Sequence, residues 1–281
     1  MGIRNTLKKK LVRVEKNPVY IPLIAGEFLK GKTILISGGS GGIGYAISEA
    51  CLRNGGNVIL AGRNTAKLDA AKNQLLEKVN NGKVATIAMD ISDARSIHQS
   101  IISASEKSDT GTIEILINNA GVQAGRMIGE TAESDYDMVL DTNLKGTYFM
   151  CQEFSNYLIK NNIQGNILNI SSVSGIRPAV SPYMLSKWGI TGLTKGLAKK
   201  LIPYDIVVNG IAPGPTATDM LKKNDSDLMY EKAPAGRFAS PVEIANLAVF
   251  MISDMGRMIV GETVVLSGGC GNLTVDDIKY N

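Results

Sequence analysis

A chain of 281 residues, 44% hydrophobic and 20% charged, is long enough for one large domain with a sizeable core. Its 30 Lys and Arg outnumber 26 Asp and Glu, but the excess is local: residues 1–30 hold seven cations against Glu15 and Glu27, a balance of +5, so the other residues carry −1. That distribution excludes a basic body built for nucleic acid. The single histidine, His98, excludes a multi-histidine metal centre. Three scattered cysteines (Cys51, Cys151, Cys270) exclude a disulfide framework and suit the reducing cytoplasm as small buried apolar residues.

The basic segment 1–30 reads as an extension, with the body at 31–281. Its longest apolar stretch, 19–25, is short and interrupted by Pro22, so no signal peptide is expected. No run of about 18 apolar residues occurs, which excludes integral membrane association. The cluster at 8–13 is expected to be a solvated arm, with an anionic membrane or a partner as the alternative.

From Thr33 onward, short apolar runs alternate with longer amphipathic ones. Strands are predicted at 33–37, 57–61, 84–89, 113–118, 166–170, 206–211 and 263–266. Most are near-continuous Val, Ile and Leu, the pattern of strands buried on both faces. Between them lie helical periods. Ile43, Ala46, Ile47, Ala50 and Cys51 fall on one helical face, and 241–253 follows Ser240 as N-cap with Pro241 at the first helical position. The alternation predicts an α/β fold: one doubly wound Rossmann-type domain, with about seven parallel strands and helices on both faces. The polar stretch 216–237 predicts a mobile loop or a small helical flap.

Ser37-Gly38-Gly39-Ser40-Gly41-Gly42-Ile43-Gly44 joins the first strand to the first helix. Glycines there let backbone approach a pyrophosphate, and the helix N-terminus offers N–H groups to it. The second strand ends in Gly62-Arg63, where an NAD-preferring protein of this fold carries Asp or Glu. A guanidinium at Arg63 can pair with a 2′-phosphate, so NADP(H) is expected and NAD(H) is the lesser alternative. Gly41 lacks the basic side chain that would strengthen this. Further on, Tyr183 and Lys187 are four residues apart behind Ser181-Pro182, an N-cap followed by a first-turn proline. On a helix they share a face, and a neighbouring ammonium is expected to lower the phenol pKa towards proton exchange with an alcohol or carbonyl. Trp188, the only tryptophan, is expected to serve packing or a subunit contact.

Other motifs stand in a fixed order around these. Asn118-Asn119-Ala120-Gly121 closes the fourth strand, Asn143 lies in Asp141-Thr142-Asn143-Leu144-Lys145-Gly146, and Ser171-Ser172 follows the fifth strand. Pro213-Gly214 with Thr218-Asp219-Met220, then Gly236-Arg237-Phe238 and Gly268-Gly269, come after the tyrosine. With the glycine-rich loop and Tyr183-x-x-x-Lys187, they make the sequence from about Lys32 to Gly269 resemble the classical short-chain dehydrogenase/reductase family. The gap of 11 from Ser172 to Tyr183 is shorter than is common there, and the basic extension lies outside the family core.

The resemblance implies hydride transfer between a nicotinamide cofactor and a carbonyl or secondary alcohol, with ketone reduction the expected direction. It implies four catalytic residues: Tyr183 for proton transfer, Lys187 for its activation and for the nicotinamide ribose, Ser172 for the substrate oxygen, and Asn143 for a relay water. Ser171 and Ser174 remain alternatives to Ser172. Cofactor contacts are implied at Gly38, Ser40, Gly41, Gly42, Ile43 and Gly44 in the glycine-rich loop. Asp90 and Ile91 are implied beside the adenine, with capping by Asp90 as a competing role that can hold together with it. Asn118, Ala120 and Gly121 are implied in the middle, and Pro213, Gly214, Thr216 and Thr218 with Tyr183 and Lys187 at the nicotinamide end. A homodimer or homotetramer is implied, packed through helices around 150–158 and 188–197. Two other functions are weighed: a nucleotide-sugar epimerase or dehydratase, and a catalytically silent dinucleotide-binding regulator. Lys222 and Lys223 could draw an anionic substrate or acyl carrier, against a merely solvated role.

Overall fold

Seven strands share one parallel sheet in the computed structural model, which describes residues 26–125, 127–218 and 229–274. They are β1 (Thr33–Ser37), β2 (Asn57–Gly62), β3 (Val84–Ala88), β4 (Ile115–Asn118), β5 (Gly165–Ile170), β6 (Ile206–Pro213) and β7 (Thr263–Leu266), in the order β3-β2-β1-β4-β5-β6-β7. Each predicted strand is present, with ends moved by at most two residues. All-parallel pairing requires crossovers, and the helices supply them. These are α1 (Gly42–Arg53), α2 (Thr65–Lys78), α3 (Ile97–Ser105), α4 (Glu133–Val139), α5 (Thr147–Lys160), α6 (Pro182–Leu201) and α7 (Pro241–Ile252).

Alternation along β1 divides the core. Ile34 and Ile36 point into the layer holding Ile47 of α1 and Ile244 and Ala248 of α7. Leu35 points the other way, into the layer holding Ile101 of α3 and Phe154 and Leu158 of α5. Both layers are needed because a parallel sheet has no face to spare for water. Leu29 is 1% exposed in the first layer and its amide donates to the Asn54 carbonyl. Leu29 therefore packs with the body that follows it. Residues 1–25, with the cluster at 8–13, lie outside the described residues, as do Asp219, Met220, Lys222 and Lys223.

Local chemistry sets the helix starts. Ser240 and Glu243 form a reciprocal capping box at α7: Ser240 Oγ accepts from the Glu243 amide and Glu243 accepts from the Ser240 amide. Ser181 Oγ accepts from the Met184 amide at 3.3 Å and Pro182 is the first residue of α6, as its sequence predicts. One irregularity has no sequence signal: between α4 and α5 the chain winds as a π-helix over Leu140–Gly146. The three cysteines are buried, and burial pushes the Cys51 and Cys151 thiols up to about 12. His98 is exposed beside Glu153.

Candidate active site

The order of the sheet reverses at β1, which has β2 on one side and β4 on the other. A ligand crevice is expected outside the carboxyl ends of the strands at such a point. A cleft of about 1010 Å3 opens there.

Its floor is the glycine-rich loop. Gly38 takes φ +67°, and a Cβ on it would stand 2.9 Å from the Ala120 Cα. At Gly44 a Cβ would be 2.2 Å from the Gly38 carbonyl oxygen, so the first turn of α1 can close against the loop only without a side chain. Gly38, Ser40, Gly41, Gly42 and Ile43 line the cleft. Asn119 locks the loop from across the sheet, its Nδ2 donating to the carbonyls of Ser37 (3.3 Å) and Gly38 (3.1 Å). Ser37 Oγ in turn accepts from the amides of Asn119 and Ala120. A backbone cradle at a helix N-terminus, free of side chains, fits a pyrophosphate.

Four expected cofactor residues do not line the cleft. Gly44 acts from behind, through its packing on Gly38. Asn118 turns into the core, donating to Asn169 Oδ1 (2.9 Å) and Cys151 Sγ (3.2 Å); its neighbour Asn119 faces the cleft instead. Ile91 packs its carbonyl where a Gly146 Cβ would go. Asp90 caps its own turn, Oδ1 accepting from the amide (3.0 Å) and hydroxyl (2.7 Å) of Ser92. Burial alone would raise the Asp90 carboxyl, but the Ser92 hydrogen bonds and the Arg63 guanidinium hold it below the usual range.

Beyond β2, Arg63 and Lys67 border the cleft mouth. Asn64 caps α2 through the Lys67 amide at 3.0 Å, which fixes Lys67 one turn past Arg63. Lys67 was absent from the sequence expectation; Arg63 precedes the N-cap of α2, so helical spacing did not link the two. Two cations suit a 2′-phosphate, and no Asp or Glu lines the cleft among the described residues.

At the far end stand Ser172, Tyr183 and Lys187. Ser172 caps a short 3-10 turn (Val173–Gly175), its Oγ accepting from the Ser174 amide at 3.1 Å, and its hydroxyl also hydrogen-bonds Tyr183. Ser171 is committed elsewhere: its Oγ donates to the Lys187 carbonyl (3.1 Å) and meets Thr191 Oγ1 (2.8 Å). Of the three candidate serines, Ser172 is therefore the one joined to the tyrosine. Lys187 is 5% exposed; its Nζ donates to the Ile170 carbonyl at 2.8 Å and lies 5.6 Å from the Tyr183 ring centroid.

The expected lowering of the tyrosine pKa does not hold. Burial pushes the Tyr183 phenol above its ordinary value, and the Ser172 hydrogen bond offsets this only in part. Lys187 meets the ring face and a carbonyl, not the phenol oxygen. Burial also lowers Lys187 itself, from 10.5 to about 8. Between those pH values the unfolded chain still holds the Lys187 proton and the folded one has released it, so stability rises with pH across that window. Below pH 8 the full cost of burying the ammonium is present. Relative to Lys187→Met, the wild type should gain on the order of 3 kcal/mol between pH 7.5 and 10.5. Urea unfolding of both proteins across that range measures it; a constant difference contradicts the buried-ammonium cost.

Asn143 is fully buried inside the π-helix. Its Oδ1 accepts from the Val122 amide (2.8 Å), and its Nδ2 donates to the Val122 carbonyl (2.9 Å) and Ser186 Oγ (3.2 Å). Both side-chain protons are thus used structurally. A Cβ on Gly121 would lie 3.3 Å from Asn143 Oδ1 and 3.8 Å from Lys187 Nζ, so Gly121, which lines the cleft, sits beside both residues. Pro213 and Gly214 leave β6 along the same wall. Thr216 is tied down, its Oγ1 donating to the Gly214 carbonyl at 2.9 Å, while Thr218 reaches across towards Gly42. Tyr230 and Phe238, stacked with centroids 4.4 Å apart, line the cleft with Arg177; Phe238 belongs to the motif Gly236-Arg237-Phe238, while Tyr230 and Arg177 were not singled out from the sequence. Trp188 is half exposed, and its Nε1 donates to the Arg177 carbonyl at 2.5 Å, a packing role.

Comparison with known proteins agrees with this geometry. A family model described as short chain dehydrogenase matches residues 32–229. Gluconate 5-dehydrogenase of Gluconobacter oxydans is 32% identical over 86% of this chain and 95% of its own length. The 3-oxoacyl-(acyl-carrier-protein) reductase FabG of Aquifex aeolicus is 35% identical over 86% of this chain and 98% of its own. Among solved structures, L-sorbose reductase from Gluconobacter frateurii, complexed with NADPH and L-sorbose, superposes with a TM-score of 0.79 at 27% identity, covering 89% of this chain and all of the other. The epimerase or dehydratase alternative is not favoured by these matches. With its reversed-order sheet, its glycine cradle and Ser172 joined to Tyr183 beside Lys187, the chain belongs to the short-chain dehydrogenase family, in its classical branch.

Proposed function

We propose that this protein is an NADP(H)-dependent oxidoreductase that reduces a ketone to a secondary alcohol. The observation that carries this is the grouping of Ser172, Tyr183 and Lys187 at one end of a cleft whose other end presents Arg63 and Lys67. The NADPH of the sorbose reductase structure and the reductases among its relatives support the cofactor and the direction.

When bound, NADPH supplies a hydride for the carbonyl carbon. Tyr183 holds the proton that the carbonyl oxygen takes up, and runs the step in reverse as a base in oxidation. Ser172 donates a hydrogen bond to the same oxygen and stabilises charge that builds there. Lys187 keeps a positive charge near the phenolate left behind. Both Asn143 amide protons are already used, so a water relaying protons from solvent to Lys187 would rest on the Asn143 main chain. Thr216 and Thr218 hold the nicotinamide end, and Gly38, Ser40, Gly41, Gly42 and Ile43 the pyrophosphate.

The molecule is further proposed to work in the cytoplasm as a homodimer or homotetramer. No described helix is long and apolar enough to cross a membrane. Tyr148 and Trp188, on α5 and α6, are about half exposed, and an apolar hollow lies among Leu140, Leu144, Tyr148 and Leu193. Light scattering that finds only monomer contradicts the assembly.

Mixing the protein with NADPH and a panel of sugar ketones, oxo acids and cyclic diketones tests the activity. Oxidation of NADPH with at least one of them, faster than with NADH, is expected. Tight NADPH binding without turnover across the panel would instead point to the silent regulator.

A further inference from the structure

Ser186 lies between Tyr183 and Lys187 on α6, yet it is fully buried and does not line the cleft. Its hydroxyl donates to the Tyr183 carbonyl at 2.7 Å and accepts from Asn143 Nδ2 at 3.2 Å. A serine hydroxyl has one proton; the first bond uses it, so the second must be received. The Asn143 carboxamide is oriented to match. The Val122 amide donates to its Oδ1 at 2.8 Å and the Val122 carbonyl accepts from its Nδ2 at 2.9 Å, so a flipped carboxamide would lose both bonds.

These bonds join separate parts of the chain. Val122 follows Gly121, which lines the cleft in the loop after β4; Asn143 lies in the π-helix; Ser186 lies on α6. A continuous path therefore runs from the wall at Gly121 to the backbone of Tyr183. On its other flank the same turn of α6 is held to β5: Lys187 Nζ donates to the Ile170 carbonyl at 2.8 Å, and Ser171 Oγ donates to the Lys187 carbonyl at 3.1 Å. One turn past Ser186, Gly189 approaches the π-helix so closely that a Cβ would stand 2.6 Å from Leu144 Cδ1. That contact is apolar and fixes no direction. Among the described residues, no other side-chain hydrogen bond joins the π-helix to α6.

We infer that Ser186 is a positioning residue for proton transfer: by receiving the Asn143 amide it fixes the first turn of α6 against the loop at Gly121, and so sets where the Tyr183 phenol stands in the cleft. The inference rests on the reductase activity proposed above and adds a residue to it. Ser186 touches neither substrate nor cofactor and acts only through Tyr183. A proton donor misplaced by about 1 Å loses much of its rate advantage, so one buried hydroxyl can govern the step.

The test uses full-length protein, NADPH and a ketone that the wild type turns over, in single turnovers with enzyme in excess. The amplitude of NADPH oxidation reports the active fraction, and the rate constant reports the step itself. Ser186→Ala should slow the rate constant by about tenfold to a hundredfold with the amplitude kept. NADPH affinity should be unchanged. Ser186→Cys, whose sulfur is a weak acceptor, should fall between. Without cofactor, hydrogen–deuterium exchange read by mass spectrometry should quicken in Ser186→Ala around Val122 and in the first turn of α6. A wild-type rate constant with only the amplitude lowered overturns the inference, by making the hydroxyl a structural group only. Unaltered exchange in both segments overturns it as well. If Ser186→Ala does not fold, the cysteine variant decides alone, and a wild-type rate constant there overturns the inference. These outcomes leave the reductase activity standing; absence of NADPH oxidation by the wild type with any carbonyl compound removes the activity and the inference together.

Discussion

Tyr183→Phe should lower kcat by about 10²- to 10⁴-fold, the range for losing a positioned proton donor, while NADPH binding stays at the wild-type level. The phenyl ring keeps the packing of α6 and the surface presented to Lys187; only the hydroxyl and its bond to Ser172 are lost. Stopped-flow NADPH oxidation gives the rate, and fluorescence titration gives the binding. Near-normal turnover in the variant would falsify the proton-transfer role. A parallel loss of NADPH binding would mean that the hydroxyl serves the cofactor and not the substrate. Burial holds the phenol above its ordinary pKa. Tyr183 is therefore protonated at neutral pH, the form that reduction requires.

Arg63→Asp should cut kcat/KM for NADPH by about a hundredfold or more and move preference towards NADH. The substitution removes a charge-assisted pair with the 2′-phosphate and sets a carboxylate facing it. The same carboxylate can accept from a ribose 2′-hydroxyl, which favours NADH. Lys67 still borders the site, so some affinity for the phosphate should survive, and Lys67→Ala alone should cost less than Arg63→Asp. Comparing kcat/KM for both cofactors across the three proteins measures this. A wild type that prefers NADH contradicts the assignment.

Much of the molecule was legible in its sequence for identifiable reasons. Strands buried on both faces leave apolar runs, so β1 to β7 could be placed to within two residues. Caps are local chemistry, which is why the starts of α6 and α7 followed from Ser181-Pro182 and Ser240-Pro241. The candidates Ser172, Tyr183 and Lys187 were proposed from motif order, and all three line the cleft.

What escaped depends on three-dimensional balance. Which of Asn118 and Asn119 faces the cleft is set by how β4 ends against β1, and adjacent residues at a strand end point to opposite sides. Asp90 could cap, contact a base or do both, and only the Ser92 geometry shows that it caps. For Tyr183, a neighbouring ammonium and burial act in opposite directions, and only the placement of Lys187 Nζ on the Ile170 carbonyl shows that burial prevails. Tyr230 and Phe238 come from beyond β6, about 60 residues after Ser172, so no local pattern could unite them with it. The π-helix around Asn143 leaves no mark on apolar spacing, yet it places the amide against Val122.

The most direct test follows the label from cofactor to product. NADPH deuterated at the transferring position of nicotinamide C4 is incubated with wild-type protein and a ketone that it turns over, and the alcohol is examined by mass spectrometry and NMR. One deuterium on the carbinol carbon of each product molecule, formed on one face only and absent when Tyr183→Phe replaces the wild type for the same interval, is the predicted result. Alcohol formed without deuterium at that carbon, or formed as fast by the variant, would contradict the account.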